Sequence, residues 1–559
     1  MAAHVGGRFE EVAPKPILLG ADYLYLALLL AFSVALHGRI LCHSTMTARD
    51  GMEFARYVAH LHRGGPPAED GRPAWLTYIQ SANHPPGYPA AVLAVMPVVS
   101  HFSAEPYHEQ LLTACKLASA LAGVLLVFPT YRLGRGLFGT PFAGFAAAAL
   151  FQAAPTVAQI TSDGLSESLF LLLTASALAC GVRAMRRAST LWCLLCGLAS
   201  GLAYLVRPEG AIVVLAVGAA VAGQGILGRW PRTAAMGRMT ALAVGLMLVA
   251  VPYAMLIGKL TNKPNPGGML QKLGDPFGSK LRSLRTGGSA AVAGPALFAD
   301  WYEADRDGEQ AAWAAKAIAK ETFKSSHYAP FVLAVLGLVI RRKQAVTDPG
   351  LMAVLALAAG HAALLFALGM RQPDPGSVYG AYISERHTLL LVLVVSLLAA
   401  GALEPIARAF SIRPVFLLLG LVASMLPSAT KPLHENRLGF YHAGHFLATQ
   451  NLGPTDAVID PFSWAEWYAG RTLYEVPPDP AEPTVRWAIL DAQSDDHHSR
   501  LPRLQDALNV KNDGKDKPQL VYWWPEVPAA DAEKPPKEGG SQVRVYRQVV
   551  PKSKKDEKK

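Results

Sequence analysis

Long apolar runs alternate with short polar connections along this chain, and the runs set its architecture. A bilayer core of about 30 Å is crossed by about 20 apolar helical residues, and about eleven segments read as membrane helices by that measure. They lie near Leu18–Leu41, Leu111–Tyr131, Pro141–Ile160, Leu165–Val182, Leu191–Val206, Ala211–Leu227, Met239–Ile257, Ala329–Ile340, Leu351–Met370, Thr388–Leu403 and Val415–Pro427. The eighth and the eleventh are short. The first apolar run, from Ile17 to Leu41, is too long for a signal-peptide core, and no small-residue cleavage pattern follows it. From Lys431 the pattern changes. A helical stretch, Gly439–Asn451, precedes short strand candidates at Ala457–Ile459, Trp487–Leu490, Gln519–Trp523 and Arg544–Val549. The expected fold is therefore an α-helical polytopic membrane protein with a small C-terminal extracytoplasmic α/β domain. Its divisions are a membrane domain over residues 1–430, the α/β domain over 431–550, and a disordered Lys-rich tail over 551–559.

Charge orients this arrangement. Of 559 residues, 51% are hydrophobic and 17% charged, below the roughly 25% charged of a soluble globular protein. The net charge of +10 comes from clusters in every second loop: Arg132 and Arg135; Arg183, Arg186 and Arg187; Arg229, Arg232 and Arg238; Arg341, Arg342 and Lys343; Arg408 and Arg413. The positive-inside rule then puts the N-terminus in the cytoplasm and the α/β domain outside a cell (inner) membrane. The scheme requires that Pro85–Val99, rich in proline, does not cross, and reads it as a re-entrant or interfacial helix. No aromatic residues interleave with a basic stripe, which argues against nucleic acid. Cys193 and Cys196 form a CxxC inside an apolar helix with no second Cys/His pair, so they read as small apolar residues.

The opposite loops carry the candidate chemistry. The first outer loop is 42–84 and the largest is 258–328, which includes an Ala-rich helix near Gln310–Thr322. Titratable groups at membrane depth are costly and mark functional sites. Asp50 follows the first helix and reads either as a general base or as a helix cap. His84, ahead of Pro85-Pro86, is held off helix and reads as a hydrogen-bond donor to a phosphate oxygen or as an interfacial histidine. Asp163 and Glu167, four apart at a helix start, share a face and read as capping groups or as a second acid facing Asp50. Arg207, with Glu209, and Arg386-His387 bring cations to the outer side, as phosphate ligands or as snorkelling side chains. Tyr379 and Tyr382 lie in the same outer loop as Arg386. Carboxylates, cations and adjacent lipid suit transfer from a lipid-linked phosphate donor. No Walker or GxGxxG signature stands in a strand–helix context.

The Asp after the first helix, the His84-Pro85-Pro86-Gly87-Tyr88-Pro89 segment, the Ser162-Asp163-Gly164-Leu165-Ser166-Glu167 helix start, the Leu205-Val206-Arg207-Pro208-Glu209-Gly210 turn and Ser384-Glu385-Arg386-His387 together resemble GT-C glycosyltransferases. Within that superfamily they are similar to family 39, the dolichyl-phosphate-mannose protein mannosyltransferase-like proteins, and to the aminoarabinose transferase group. Gly444-His445-Phe446-Leu447 and Trp467-Tyr468-Ala469-Gly470-Arg471 resemble the tail domain of bacterial members. The resemblance implies a polyprenyl-phosphate sugar donor, an acceptor lipid, glycan or protein, and inverting single displacement at the outer face. Asp50 then inherits the role of base and Asp163 that of the second-loop acid. His84 stands where the aminoarabinose group commonly has lysine, and Asn83 where those relatives often have an acid. No cofactor is assigned, and a divalent metal is left open. A multi-pass transporter or flippase is the alternative, weakened by charges clustered at helix ends rather than paired at mid-membrane. A non-catalytic envelope protein leaves Asp50, Asp163 and Arg386 unexplained.

Overall fold

A computed structural model describes residues 20–64, 71–262, 307–370, 383–450, 452–453, 456–460, 462–473, 485–491, 518–525 and 543–549. Most of the loop 258–328, Tyr379, Tyr382 and the tail 551–559 lie outside the described residues.

Among the described residues seven helical stretches are long and apolar enough to cross a bilayer. They are α1 (Gly20–His43); α5 and α6 (Tyr107–Leu125, Val127–Phe138), which form one run; α9 (Glu167–Arg187); α11 (Ile212–Ile226) with the 3-10 turn before it; α12 (Arg232–Ile257); α16 (Pro349–Gly369); and α17 (Leu389–Ala409) with its leading turn. Shorter apolar helices are α4 (Gly87–Phe102), α7 (Pro141–Ala153), α10 (Thr190–Val206) and α18 (Pro414–Ala429). Large apolar side chains on α12, among them Met247, Leu248 and Met255, face outward. A water-soluble protein buries such a stripe, whereas a bilayer solvates it.

One expected span is broken, and one loop helix bends sharply onto the span that follows it. Pro141–Ile160 divides into α7 and α8 (Pro155–Ile160) because Pro155 cannot donate into the preceding turn and restarts the helix at its first position. The Ala-rich helix is α13 (Asp307–Ser325), and it meets α14 (Ala329–Ile340) at a 107° bend. There His327 and Tyr328 both take positive φ.

The basic loops converge at one end of the bundle. Arg186 pairs with Asp348 at 2.8 Å, Gln344 donates to the Leu137 carbonyl, Arg238 to that of Ala188, and Arg341 to that of Gly401. Short α15 (Arg342–Thr347) lies at this same end. α4 does not reach it. Its first turn is fixed by Tyr88, whose hydroxyl donates to the Cys115 carbonyl and bonds Ser119, while Ser100 near its end bonds Gln110. α4 therefore runs antiparallel along the first half of α5 only.

The C-terminal unit is a four-stranded sheet in the order β1-β2-β4-β3, from β1 (Asp456–Ile459), β2 (Val485–Asp491), β3 (Gln519–Trp524) and β4 (Val543–Val549). β1 and β2 are parallel, and β4 is antiparallel to both its neighbours. Helix α19 (Leu438–Ala448) packs on this sheet and on α20 (Trp464–Tyr468). Arg56 of α2 (Arg49–Arg63) donates to the Thr472 carbonyl, seating the unit over the first loop.

Gly87 sets how closely α4 meets α10. A Cβ there would stand 2.6 Å from the Leu205 carbonyl oxygen, a backbone atom that cannot swing away. Gly87→Val should destabilise the protein by about 1–3 kcal/mol through this overlap. Thermal unfolding in detergent, compared with Gly218→Val at a position with open space, measures it.

Candidate active site

The first-loop acid sits in the opening turn of α2 because Gly51 lets that turn press against its neighbours. A Cβ on Gly51 would fall 2.8 Å from Thr47 Oγ1 and 3.1 Å from the Gly164 carbonyl oxygen. Asp50 is thus placed opposite the turn leading into α17, and Arg386 Nη1 donates to its Oδ2 at 2.6 Å. About a third of each side chain is open to solvent. Desolvation pushes the Asp50 carboxyl up, but Arg386, with smaller help from His84 and Arg207, outweighs it and holds the pKa below the ordinary 3.8. At neutral pH Asp50 is therefore ionised.

Two further groups complete this surface. Arg207 ends α10 and forms a 2.6 Å ion pair with Glu167, with Glu209 at 3.7 Å. His84 lies 3.5 Å from Glu53, its ring against Phe54, which in turn meets Tyr88 edge-on. Glu167, Arg207, Glu209, His361, Arg386 and His387 also line one small cavity beside leucines of α16 and α17. The structure therefore brings together Asp50, His84, Glu167, Arg207, Glu209 and Arg386, from five separate parts of the chain.

Two candidate residues have partners inside the protein. His387, expected among the outer cations, accepts the Ser384 backbone N–H at its Nδ1, at 3.1 Å, and caps its own turn. Asp163, expected as the second-loop acid, is held by four donors. Its Oδ1 accepts from Thr47 Oγ1, the Ala48 N–H and the Gly164 N–H, and its Oδ2 from His434 Nε2 at 2.8 Å. It fixes the loop that carries Asp50 and is saturated as it stands. Tyr382 lies outside the described residues.

Sequence reasoning missed His434 and Lys324. Lys324, from the end of α13, pairs with Glu385, which also accepts from Thr156 Oγ1 at 2.7 Å. This pair fastens α13 to the turn bearing Arg386. No pattern in the sequence marks His434, because its partner is 271 positions away. Among the described residues no group of three or more His, Cys, Asp or Glu side chains is placed to hold a metal ion. The donors here are instead committed to cations and backbone amides.

With the geometry in hand, comparisons place the chain. Residues 87–257 match the family model of dolichyl-phosphate-mannose-protein mannosyltransferase. No curated protein matches the chain by sequence. Among solved structures it is similar to the apo oligosaccharyltransferase of Archaeoglobus fulgidus, with TM-score 0.52, 15% identity, 83% of this chain and 61% of that chain covered. The archaeal AglB from the same organism, in complex with an inhibitory peptide and a dolichol-phosphate, aligns with TM-score 0.50 at 15% identity over 83% and 61%. The chain thus spans about three-fifths of these archaeal proteins' length. ArnT from Cupriavidus metallidurans, bound to undecaprenyl phosphate, aligns over 95% of this chain and 99% of that one, with TM-score 0.50 and 14% identity. The fold is that of the GT-C superfamily of membrane glycosyltransferases. Within it, the segment holding Asp163, Glu167 and Arg207 is similar to the protein mannosyltransferases, and the whole architecture is similar to ArnT.

The Asp163–His434 contact yields a pH signature. Burial pushes the Asp163 carboxyl up and His434 down, yet their mutual attraction wins, so Asp163 falls below 3.8 and His434 rises above 6.5. The histidine's contribution is complete below pH 6.5 and lost as pH rises through its folded pKa. The aspartate's is complete above 3.8 and lost as pH falls through its own. His434→Ala should cost roughly 3 kcal/mol between about pH 4 and 6.5 by stranding a buried carboxylate. The deficit should shrink above that window, as followed by denaturant melts across pH.

Proposed function

We propose that this protein is an integral-membrane glycosyltransferase that moves a sugar from a polyprenyl-phosphate donor to an acceptor hydroxyl or amine, with Asp50 as general base. The observation that carries the reading is the Asp50–Arg386 ion pair beside Arg207. Without donor, the carboxylate and the guanidinium satisfy each other. A donor phosphate is a better bidentate partner for Arg386 than a single carboxylate oxygen. Its arrival draws Arg386 onto the phosphate and frees Asp50 beside the anomeric carbon.

The acceptor oxygen or nitrogen then forms a bond to that carbon as the bond to the phosphate oxygen breaks. The electron pair leaves with the phosphate, and the acceptor proton passes to Asp50. Arg386 and Arg207 bind the charge that develops on the leaving polyprenyl phosphate. Attack opposite the departing phosphate inverts the anomeric configuration. His84, beside Glu53, supplies a further donor at the rim. The site lies at the end of the bundle away from the basic loops, so the positive-inside rule puts it at the outer face of a cell membrane, with the sheet domain outside as well. The likeness to ArnT bound to undecaprenyl phosphate and to AglB bound to a dolichol-phosphate supports a polyprenyl carrier.

Free polyprenyl phosphate is a product whatever the sugar or acceptor. Purified protein incubated with polyprenyl-phospho-sugars and envelope extract should release it, as read by mass spectrometry. Asp50→Asn should lower the rate by at least about 100-fold, as for loss of a general base, while leaving insertion and folding intact. Undiminished release by that variant would remove Asp50 as the base.

A further inference from the structure

We propose that a second cavity, at the basic end of the bundle, binds the phosphate of an anionic lipid headgroup. It has a volume of about 340 Å³ and is formed by α6 and α9 with Trp192 of α10. It lies along the half of α9 away from Glu167, with Arg183 about 24 Å along the helix from that residue of the candidate active site.

Arg132, Arg135, Arg183, Arg186 and Arg187 all line it. Two have carboxylate partners: Arg135 meets Asp22 at 2.6 Å and Arg186 meets Asp348 at 2.8 Å. Among the described residues no ion pair joins Arg132, Arg183 or Arg187 to an acid. Arg183 lies over the Trp192 ring at 4.4 Å, and its buried Nε has no hydrogen-bond partner. The positive-inside rule accounts for basic residues at this end but not for five of them closing on one cavity.

The remaining lining is mostly apolar, with Phe128, Pro129 and Val182 beside Ser176, and Leu191 lies exposed next to Trp192. A free anion has no use for such a wall, whereas a lipid lays its chains there while three guanidiniums take its headgroup. Planar donors in this number suit a phosphate, which each can engage through two N–H groups. The site is separate from glycosyl transfer and does not rest on that reading.

The test uses the purified full-length chain. Native mass spectrometry with phosphatidylglycerol and phosphatidylcholine of identical chains should show at least about tenfold preference for the anionic lipid. Arg132→Gln/Arg187→Gln, altered at the rim, should reduce that preference to near parity, with the melting temperature in detergent reporting an intact fold. Arg183→Gln should do the same. Equal retention of the two lipids by the unaltered protein would overturn the proposal, as would a preference untouched in both variants. Inorganic phosphate is the third arm. Stabilisation by millimolar phosphate without phosphatidylglycerol binding would assign the cavity to a free anion and end the lipid proposal.

Discussion

The carboxylate of Asp163 is the point on which the end of the molecule that carries the candidate site depends. It takes hydrogen bonds from the Thr47 hydroxyl, from the Ala48 and Gly164 amides, and from His434. These donors belong to the loop after α1, the turn before α9 and the start of the C-terminal unit. A single buried charge thus fixes the entry to α2, and with it Asp50 two residues beyond Ala48. Lys116 reinforces the same loop by donating to the Ser44 and Thr45 carbonyls. The arrangement is economical because each donor would otherwise be a buried polar group in need of a partner. Acid in one place positions acid in another: the saturated carboxylate holds still while the half-exposed one is left able to exchange partners.

That division also explains the cations. Arg207 is tied to Glu167 within the protein, whereas Arg386 sits on a short turn braced by Ser384–His387 capping and by the Lys324–Glu385 pair. The brace fixes the backbone of this turn, while the Arg386–Asp50 pair itself stays partly open to solvent. α13 supplies Lys324 and also Ser325, which accepts from Thr388. Its sharp bend onto α14 is what folds this helix over the turn bearing Arg386 rather than continuing through the bilayer.

Much of this was legible in the sequence wherever a local period decides the outcome. Spans such as those of α9, α12 and α16 follow from apolar run length alone. The strands near 457, 487, 519 and 544 follow from short alternating segments between turn residues. The convergence of the basic loops was written in their spacing. Pairings were less accessible. Asp50 and Arg386 are 336 positions apart, and only their common side of the membrane linked them. His434 follows Pro432 in a stretch with no motif, so nothing but the folded packing shows that it meets Asp163. His387 caps its own turn through the Ser384 N–H, a local contact that its place beside Arg386 does not reveal.

The two ends of the bundle use arginine differently, and the contrast follows from what lies beside each. At the end that carries the candidate site, Arg207 and Arg386 each face a carboxylate, so an incoming anion competes with an internal partner for either guanidinium. At the opposite end the carboxylates are too few, and Asp22 and Asp348 are shared with structural duties such as the Tyr131 hydrogen bond and the capping of α16. An anion there meets guanidiniums that no acid among the described residues occupies, so its binding breaks no ion pair.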